Sequence, residues 1–276
     1  MMSTEPLRLL ILGAHPDDAE YHAGGLAIKY RRAGHVVKMV SATDGGAGHY
    51  ALSGTELSMI RKREAERSAA SIGANSELWR FPDGRLEPTL ELRERVIREI
   101  RTFRPDLVLT HRTCDYHPDH RAIGQAVQDA SYMVTVPSIC PDTPILRCDP
   151  VVATMNDRFT RPVPMRPDVV IDVTDEFADL IAMCACHESQ FFDWLPYNQQ
   201  CLHEVPREPG DRLRWLTREF VTHIRPYADR FREELLRAYG TERGSTIQLC
   251  EAFEVSEYAA PLDEAARAKL FWFLPT

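Results

Sequence analysis

The sequence predicts an α/β fold: a Rossmann-like, open, mostly parallel sheet with helices on both faces and its active site at the carboxyl ends of the strands. Three observations predict it. Short apolar runs alternate with longer charged segments of helical spacing. Several of those segments close on glycine or proline, the residues that stop helices. The densest groupings of histidine and aspartate stand directly after two of the apolar runs.

In chain order, Leu7 to Gly13 is an apolar run ending at glycine, as a buried parallel strand would. Asp18 to Ala33 has helical spacing and stops at Gly34, and Val36 to Ala42 is the next strand. Leu57 to Ile72 is a charged amphipathic helix closed by Gly73. Glu77 to Phe81 is a short strand before the turn Pro82-Asp83-Gly84, and Leu90 to Phe103 is a helix ended by Pro105. Leu107 to Thr110 is a strand that runs into a histidine cluster, and Arg121 to Val134 is a helix. Val151 to Met155 and Val169 to Val173 read as strands, Thr174 to Gln190 as helical, and Leu213 to Tyr239 as helical until Pro226. Seven prolines between Pro137 and Pro167 mark a stiff, extended excursion, and the aromatic stretch from Phe191 to Arg212 reads as a second insertion. No repeat or low-complexity segment divides the chain. The expectation is one domain over residues 1–276, with loop insertions at about 137–167 and 191–212.

Composition narrows the partners. A net charge of -8 and the lack of a long basic tract argue against nucleic acid or an anionic membrane surface. No apolar run approaches the ~18 residues of a spanning helix, and the N-terminus lacks a basic leader region. The seven cysteines are odd in number and form no CxxC pair, so reduced thiols and a cytoplasmic location are expected.

Two groupings carry chemistry. The first, Gly13-Ala14-His15-Pro16-Asp17-Asp18, stands where a dinucleotide-binding fold would place a glycine-rich phosphate cradle. It offers an imidazole and two carboxylates instead. Adjacent aspartates point in different directions, so one can bind a metal while the other handles protons. A helix cap is the plainer reading of a single such aspartate. The second grouping holds His111, Asp115, His117, Pro118, Asp119 and His120. If the two strands are neighbours, the groupings converge on two imidazoles and a carboxylate, a set that suits a catalytic zinc with an open position. His111 reads equally well as a residue supporting the ligands or as a structural one. His22, His35, His203 and His223 read as structural.

Residues 14–18 and 117–120 resemble the two signature motifs of the LmbE-like (PIG-L) family of metal-dependent N-acetylglucosaminyl deacetylases. Supporting matches are Arg61-x-x-Glu64, Phe81-Pro82-Asp83-Gly84, Arg104-Pro105-Asp106, His187-x-Ser189-Gln190 and Glu251-Ala252-Phe253. The resemblance implies that His15, Asp18 and His120 bind Zn²⁺, with Fe²⁺ also suited to such a site. It implies that Asp17 is the general base, that His117 stabilises the oxyanion and helps protonate the leaving amine, and that Asp119 orients and charges His117. The implied reaction removes the acetyl group from an N-acetylated amino sugar or glycoside, water on the metal attacking the amide carbonyl. Relatives in the family form homo-oligomers, often dimers or hexamers, and Phe191, Phe192, Trp194 and Tyr197 are a plausible contact or lid. Where many members carry a glutamate after the second strand, this chain has Asp44, a weak candidate for substrate binding. Arg61, Arg63 and His187 are further candidates of that kind. Hydrolysis of another amide or ester bond, or metal and sugar binding without catalysis, are the alternatives.

Overall fold

The structure is a computed structural model and describes residues 5–275. Residues 1–4, on which the reading of the N-terminus partly rests, lie outside the described residues. Seven strands form one sheet: β1 (Arg8–Gly13), β2 (Val36–Thr43), β3 (Asn75–Phe81), β4 (Leu107–Thr110), β5 (Val151–Met155), β6 (Val169–Asp172) and β7 (Cys250–Val255). Nine helices stand among the described residues. They are α1 (Asp18–Arg32), α2 (Gly54–Ser71), α3 (Leu90–Phe103), α4 (Pro118–Ala130), α5 (Phe177–Ala185), α6 (Leu195–Asn198), α7 (Pro209–Arg230), α8 (Arg232–Thr246) and α9 (Glu264–Leu270).

The strand order is β3-β2-β1-β4-β5-β7-β6. Every pairing from β3 to β5 is parallel, and β7 runs antiparallel between β5 and β6. Side chains alternate across β1, so Leu9 and Ile11 enter one core and Leu10 and Leu12 the other. The first core includes side chains of α1, α5 and α7, and the second includes side chains of α3 and α4. The helices after β1 and β4 therefore leave on opposite faces, although the strands are neighbours with Leu12 beside Thr110. This switch point opens a crevice at their carboxyl ends, where open α/β sheets bind ligands.

The structure departs from the sequence expectations in four places. The helix expected from Arg121 begins at Pro118, so the second His-Pro-Asp motif opens α4 rather than preceding it. His117 caps it, its Nδ1 accepting from Asp119 N, and Pro118 sits where a missing N–H costs nothing. Pro226 does not end α7. The carbonyl it deprives of a donor belongs to the exposed Thr222, which water can reach. β7 was not expected, because Glu251 and Glu254 interrupt its apolar character. The expected helix from Thr174 breaks after Ala185 and resumes as a π-type turn over Ser189–Trp194.

Residues in the proline-rich stretch are held rather than loose. The buried Arg101 guanidinium on α3 donates to the carbonyls of Met133, Val134, Val136, Ile139, Cys140 and Thr143. Arg112 pins the segment after β5 through Asp157 and the carbonyl of Val163.

Candidate metal centre

The two motifs meet at the switch point. His15 Nδ1 lies 3.2 Å from His120 Nε2 and 3.4 Å from Asp18 Oδ2, and His120 Nε2 lies 3.4 Å from Asp18 Oδ1. Donor atoms about 2.0–2.1 Å from a tetrahedral zinc would stand roughly 3.3–3.4 Å apart. The two imidazole nitrogens fit one cation, and Asp18 approaches them through different oxygens, Oδ2 toward His15 and Oδ1 toward His120.

Each donor is aimed by a partner on its far side, an arrangement typical of metal ligands. His120 Nδ1 is 3.1 Å from Asp115 Oδ1. His15 Nε2 is 3.3 Å from Asp83 Oδ1 and 3.4 Å from Asp119 Oδ2. These carboxylates favour a proton on the outer nitrogen, which turns the inner lone pair of each ring toward the shared point. Asp18 Oδ2 accepts from Ala14 N, His15 N and His111 Nε2, at 2.9, 2.7 and 3.0 Å. Its Oδ1 is left toward the shared point. A side chain at Gly13 would put its Cβ 2.8 Å from the Asp18 Cβ, so the strand must end in glycine for Asp18 to fold back this closely.

The charges of the metal-free centre follow from this packing. Burial works against a charged His120, yet Asp18 and Asp115 outweigh it and hold the imidazole up at about 9. Burial likewise opposes charge on His15, and the surrounding carboxylates raise it well above the ordinary histidine range. Burial would raise Asp18, but His120, His111 and His15 hold it well below the usual carboxylate range. A cation placed here would replace these protons.

Asp17 faces the same crevice from a strained backbone, with φ at 151°. Its Oδ1 accepts from Arg61 Nη2 at 3.0 Å. Burial pushes its carboxyl up, and the Arg61 charge limits the rise to about 6. The His117 ring packs edge-on against His15, with centroids 4.4 Å apart. Burial, then the neighbouring His15 and His120, lower its pKa.

Several expected roles change. Asp119 does not pair with the His117 side chain: its oxygens accept from Gly84 N and Leu86 N and face His15. Burial, not Asp119, governs His117, whose pKa is lowered rather than raised. Arg61 is 2% exposed and grips Asp17 Oδ1, the carbonyl of Pro16 and that of Gly45, so it is neither a solvated charge nor open to an aglycone. Arg63 is exposed and, among the described residues, bonds within its helix to the Met59 carbonyl, which turns it away from the site. His187 is fully buried against Glu20, 3.0 Å away, and touches no crevice. Asp44 staples two loops by accepting from Gly46 N and Asp83 N. Phe191 and Phe192 are buried in the chain's own core, which removes them from any subunit contact or lid. His111 Nε2 lies 3.0 Å from Asp18 Oδ2, and Asp18, His111 and His120 form one of the groups that could share a cation.

Sequence reasoning gave no role to Asp83 or Asp115. The signal for Asp83 was its place at a strand-end turn, and for Asp115 its presence inside the histidine cluster.

Fold and site together define an open α/β protein with a candidate mononuclear metal centre at its topological switch point. Residues 10–131 match the family model described as PIG-L: GlcNAc-PI de-N-acetylase. Over these residues, somewhat less than half of the chain, the sequence is similar to the PIG-L (LmbE-like) family. It is 28% identical over 237 residues to a diacetylchitobiose deacetylase of Thermococcus kodakarensis, covering 80% of this chain and 87% of the relative. It is also 24% identical over 209 residues to a 4-oxalmesaconate hydratase of Pseudomonas putida, covering 73% and 81%. Among solved structures, N,N'-diacetylchitobiose deacetylase of Pyrococcus horikoshii superposes with a TM-score of 0.70 at 21% identity, over 92% of this chain and 85% of that one. The relatives this chain resembles thus include a deacetylase and a hydratase. No helix among the described residues is long and apolar enough to cross a membrane.

Proposed function

We propose that this chain is a metal-dependent hydrolase that deacetylates an N-acetylated amino sugar or glycoside of the N-acetylglucosamine type. The supporting observation is the approach of His15 Nδ1, Asp18 and His120 Nε2 to within 3.2–3.4 Å, one residue along the chain from the half-buried Asp17. His15, Asp18 and His120 would hold the cation, Zn²⁺ or Fe²⁺. A bound divalent cation supplies Lewis-acid polarisation of the carbonyl and makes water acidic near neutral pH.

The chain's own groups do the rest. Asp17, held by Arg61 through Oδ1, takes a proton from the attacking water and passes it to the departing amine. His117 accepts a backbone N–H at Nδ1, so its neutral form carries the proton on Nε2 and donates it to the carbonyl oxygen as charge develops. Asp83 and Asp119 keep His15 in its ligating orientation.

The test is to incubate the Zn²⁺-loaded protein with a panel of N-acetylated sugars and measure amine and acetate together. Equimolar release that stops on chelation supports the reading. No release from any amide, with water added instead to an unsaturated acid of the kind the hydratase uses, would overturn it.

A further inference from the structure

The segment His187-x-Ser189-Gln190 lies outside the crevice, yet its three polar side chains reach three different arms of the metal centre. His187 Nε2 is 3.0 Å from Glu20 Oε1. Ser189 meets Glu64 twice, its N donating to Oε1 at 2.9 Å and its Oγ to Oε2 at 2.6 Å. Gln190 Nε2 donates to the Gly48 carbonyl at 3.0 Å. His187, Ser189 and Gln190 are all buried, as are Glu20 and Glu64. Buried polar groups need such partners, so these bonds fix where the segment sits.

Each partner stands close to a residue of the site. Glu20 is on the opening turn of α1, which also carries Asp18. That turn is short, because it lies between Asp17, held at φ 151°, and the break in α1 at Ala23. Its orientation therefore depends on side contacts more than on the rest of the helix. Glu64 follows Arg61 by three residues on the same buried face of α2, and Arg61 Nη2 grips Asp17 Oδ1. Gly48 N and its neighbour Ala47 N donate to Asp83 Oδ2, and the other oxygen of Asp83 lies 3.3 Å from His15 Nε2.

The segment is itself firmly held. It opens the π-type turn over Ser189–Trp194, a rare geometry that frequently marks functional sites. Phe191 and Phe192, the next two residues, are anchored in the core. Among the described residues His187 Nδ1 has no hydrogen-bond partner, so the Glu20 bond is the polar contact that orients the ring.

We propose that His187, Ser189 and Gln190 are positioning residues: one short segment that sets the opening turn of α1, α2 and the loop after β2 around the cation, through Glu20, Glu64 and the Gly48 carbonyl. They act through these partners and not on the cation itself. Loosening an arm misplaces a metal ligand or the Asp17 carboxyl, which costs metal affinity and turnover. For turnover the inference rests on the deacetylase reading; for metal affinity it rests on the ligand set alone.

The decisive variant replaces one buried pair as a unit. Glu20→Met combined with His187→Leu leaves neither partner unpaired, and folds commonly tolerate apolar residues of similar volume in place of a buried polar pair. Circular dichroism reads the fold, a competition titration of the metal-free protein reads Zn²⁺ affinity, and steady-state kinetics read amine release. The double variant should fold as the parent does and bind Zn²⁺ about 10- to 100-fold more weakly. With Zn²⁺ saturating, its kcat should fall by about 10- to 100-fold while KM stays within about twofold. Gln190→Met, which cuts the tie to Gly48, should weaken Zn²⁺ binding by about the same factor. His187→Gln, whose amide reaches as far as Nε2, should stay within about threefold of the parent, whereas His187→Asn, whose amide stops short of Glu20, should fall with the double variant.

A folded double variant with the parent's Zn²⁺ affinity overturns the proposal and leaves the pair a matter of stability alone. Should the double variant not fold, His187→Gln and His187→Asn decide: equal affinities overturn the proposal, and the expected difference upholds it. Zn²⁺ binding that weakens as expected, in a series whose parent releases no amine from any amide, upholds the positioning role and removes the deacetylase reading. Amine release by the parent with unchanged Zn²⁺ affinity in every variant does the reverse.

Discussion

Arg61 Nη2 sits 3.0 Å from Asp17 Oδ1, reaching from α2 to a residue whose backbone is held at a positive φ. One guanidinium thus ties down the carboxyl proposed as the base, the carbonyl of Pro16 beside it and, at 3.4 Å, the carbonyl of Gly45. Removing it would leave the base free to turn and deprive a buried carboxylate of its cation. Arg61→Ala is expected to lower kcat by about 10- to 100-fold with KM within a few fold, because misplacing a reacting group costs turnover rather than binding. Arg61→Lys should recover only part, since an ammonium cannot hold Asp17 and two carbonyls in the same planar fork. Steady-state kinetics on the best amide found would decide it. A rise in KM at constant kcat would instead mean that Arg61 touches substrate.

The ligand set has its own signature. His15→Ala, Asp18→Ala and His120→Ala should each lose bound metal, since the site then keeps only two protein donors. Asp115→Asn should retain the site but weaken it by about 10- to 100-fold, because the amide no longer fixes the His120 ring with a charge. Elemental analysis after dialysis, with a competition titration for Asp115→Asn, reads both. Full occupancy in the three alanine variants would place the cation elsewhere.

Asp17→Asn should keep the metal while turnover falls by roughly 10²–10⁴-fold, the usual contribution of a general base. His117→Ala should cost about 10²–10³-fold through loss of an oxyanion donor. Metal content and kcat measured on the same preparations separate these residues from the ligands. If Asp17→Asn lost its metal, the two neighbouring aspartates would have exchanged roles.

The first and second motifs were legible because each packs its chemistry into a few residues at the end of an apolar strand, and β1 and β4 are adjacent. Asp115, five residues before His120, stands inside the same cluster, but the sequence assigns it no role. What was not legible depends on facing. Arg61 and Arg63 differ by two positions on one helix, yet one turns inward onto Asp17 and the other into water. A sequence shows both as charges on a helix. His187 reads as a substrate-binding candidate from the motif His187-x-Ser189-Gln190, but Glu20, 167 positions earlier, is what it meets. Asp83 reaches His15 only because β3 ends beside β2, a neighbour relation that no local pattern encodes. β7 escaped notice for a related reason: its buried Glu251 makes sense only beside α1.

That glutamate supports a last prediction. α1 breaks at Ala23, where φ is -145°, and the N–H groups of Gly25 and Leu26 just beyond the break point to Glu251 Oε1 and Oε2 at 2.6 and 2.9 Å. Glu251 thus caps the second half of α1 from the adjacent strand. A side chain at Gly25 would put its Cβ 2.8 Å from Oε1, so the glycine is what admits the carboxyl. Burial pushes the Glu251 pKa up to about 8, the two backbone donors offsetting only part of the cost. In the unfolded chain the group titrates near ~4.3. Between those values the folded protein keeps a proton that the unfolded chain releases, so this contribution is full below the unfolded value and is lost as pH rises toward 8. Each unit of difference is worth about 1.4 kcal/mol, which makes the loss a few kcal/mol across the window. Glu251→Gln cannot ionise, and it exchanges one acceptor for a donor opposite a backbone N–H, a cost of about 1–3 kcal/mol. The variant should therefore be less stable than the parent at pH 5, and the gap should narrow or reverse by pH 8. Urea unfolding of both proteins, metal-free, at pH 5, 6, 7 and 8 reads the difference, since titration of the metal ligands is common to both and cancels. A gap that stays constant across the four pH values would show that Glu251 is ionised in the fold and that other groups set the pH dependence.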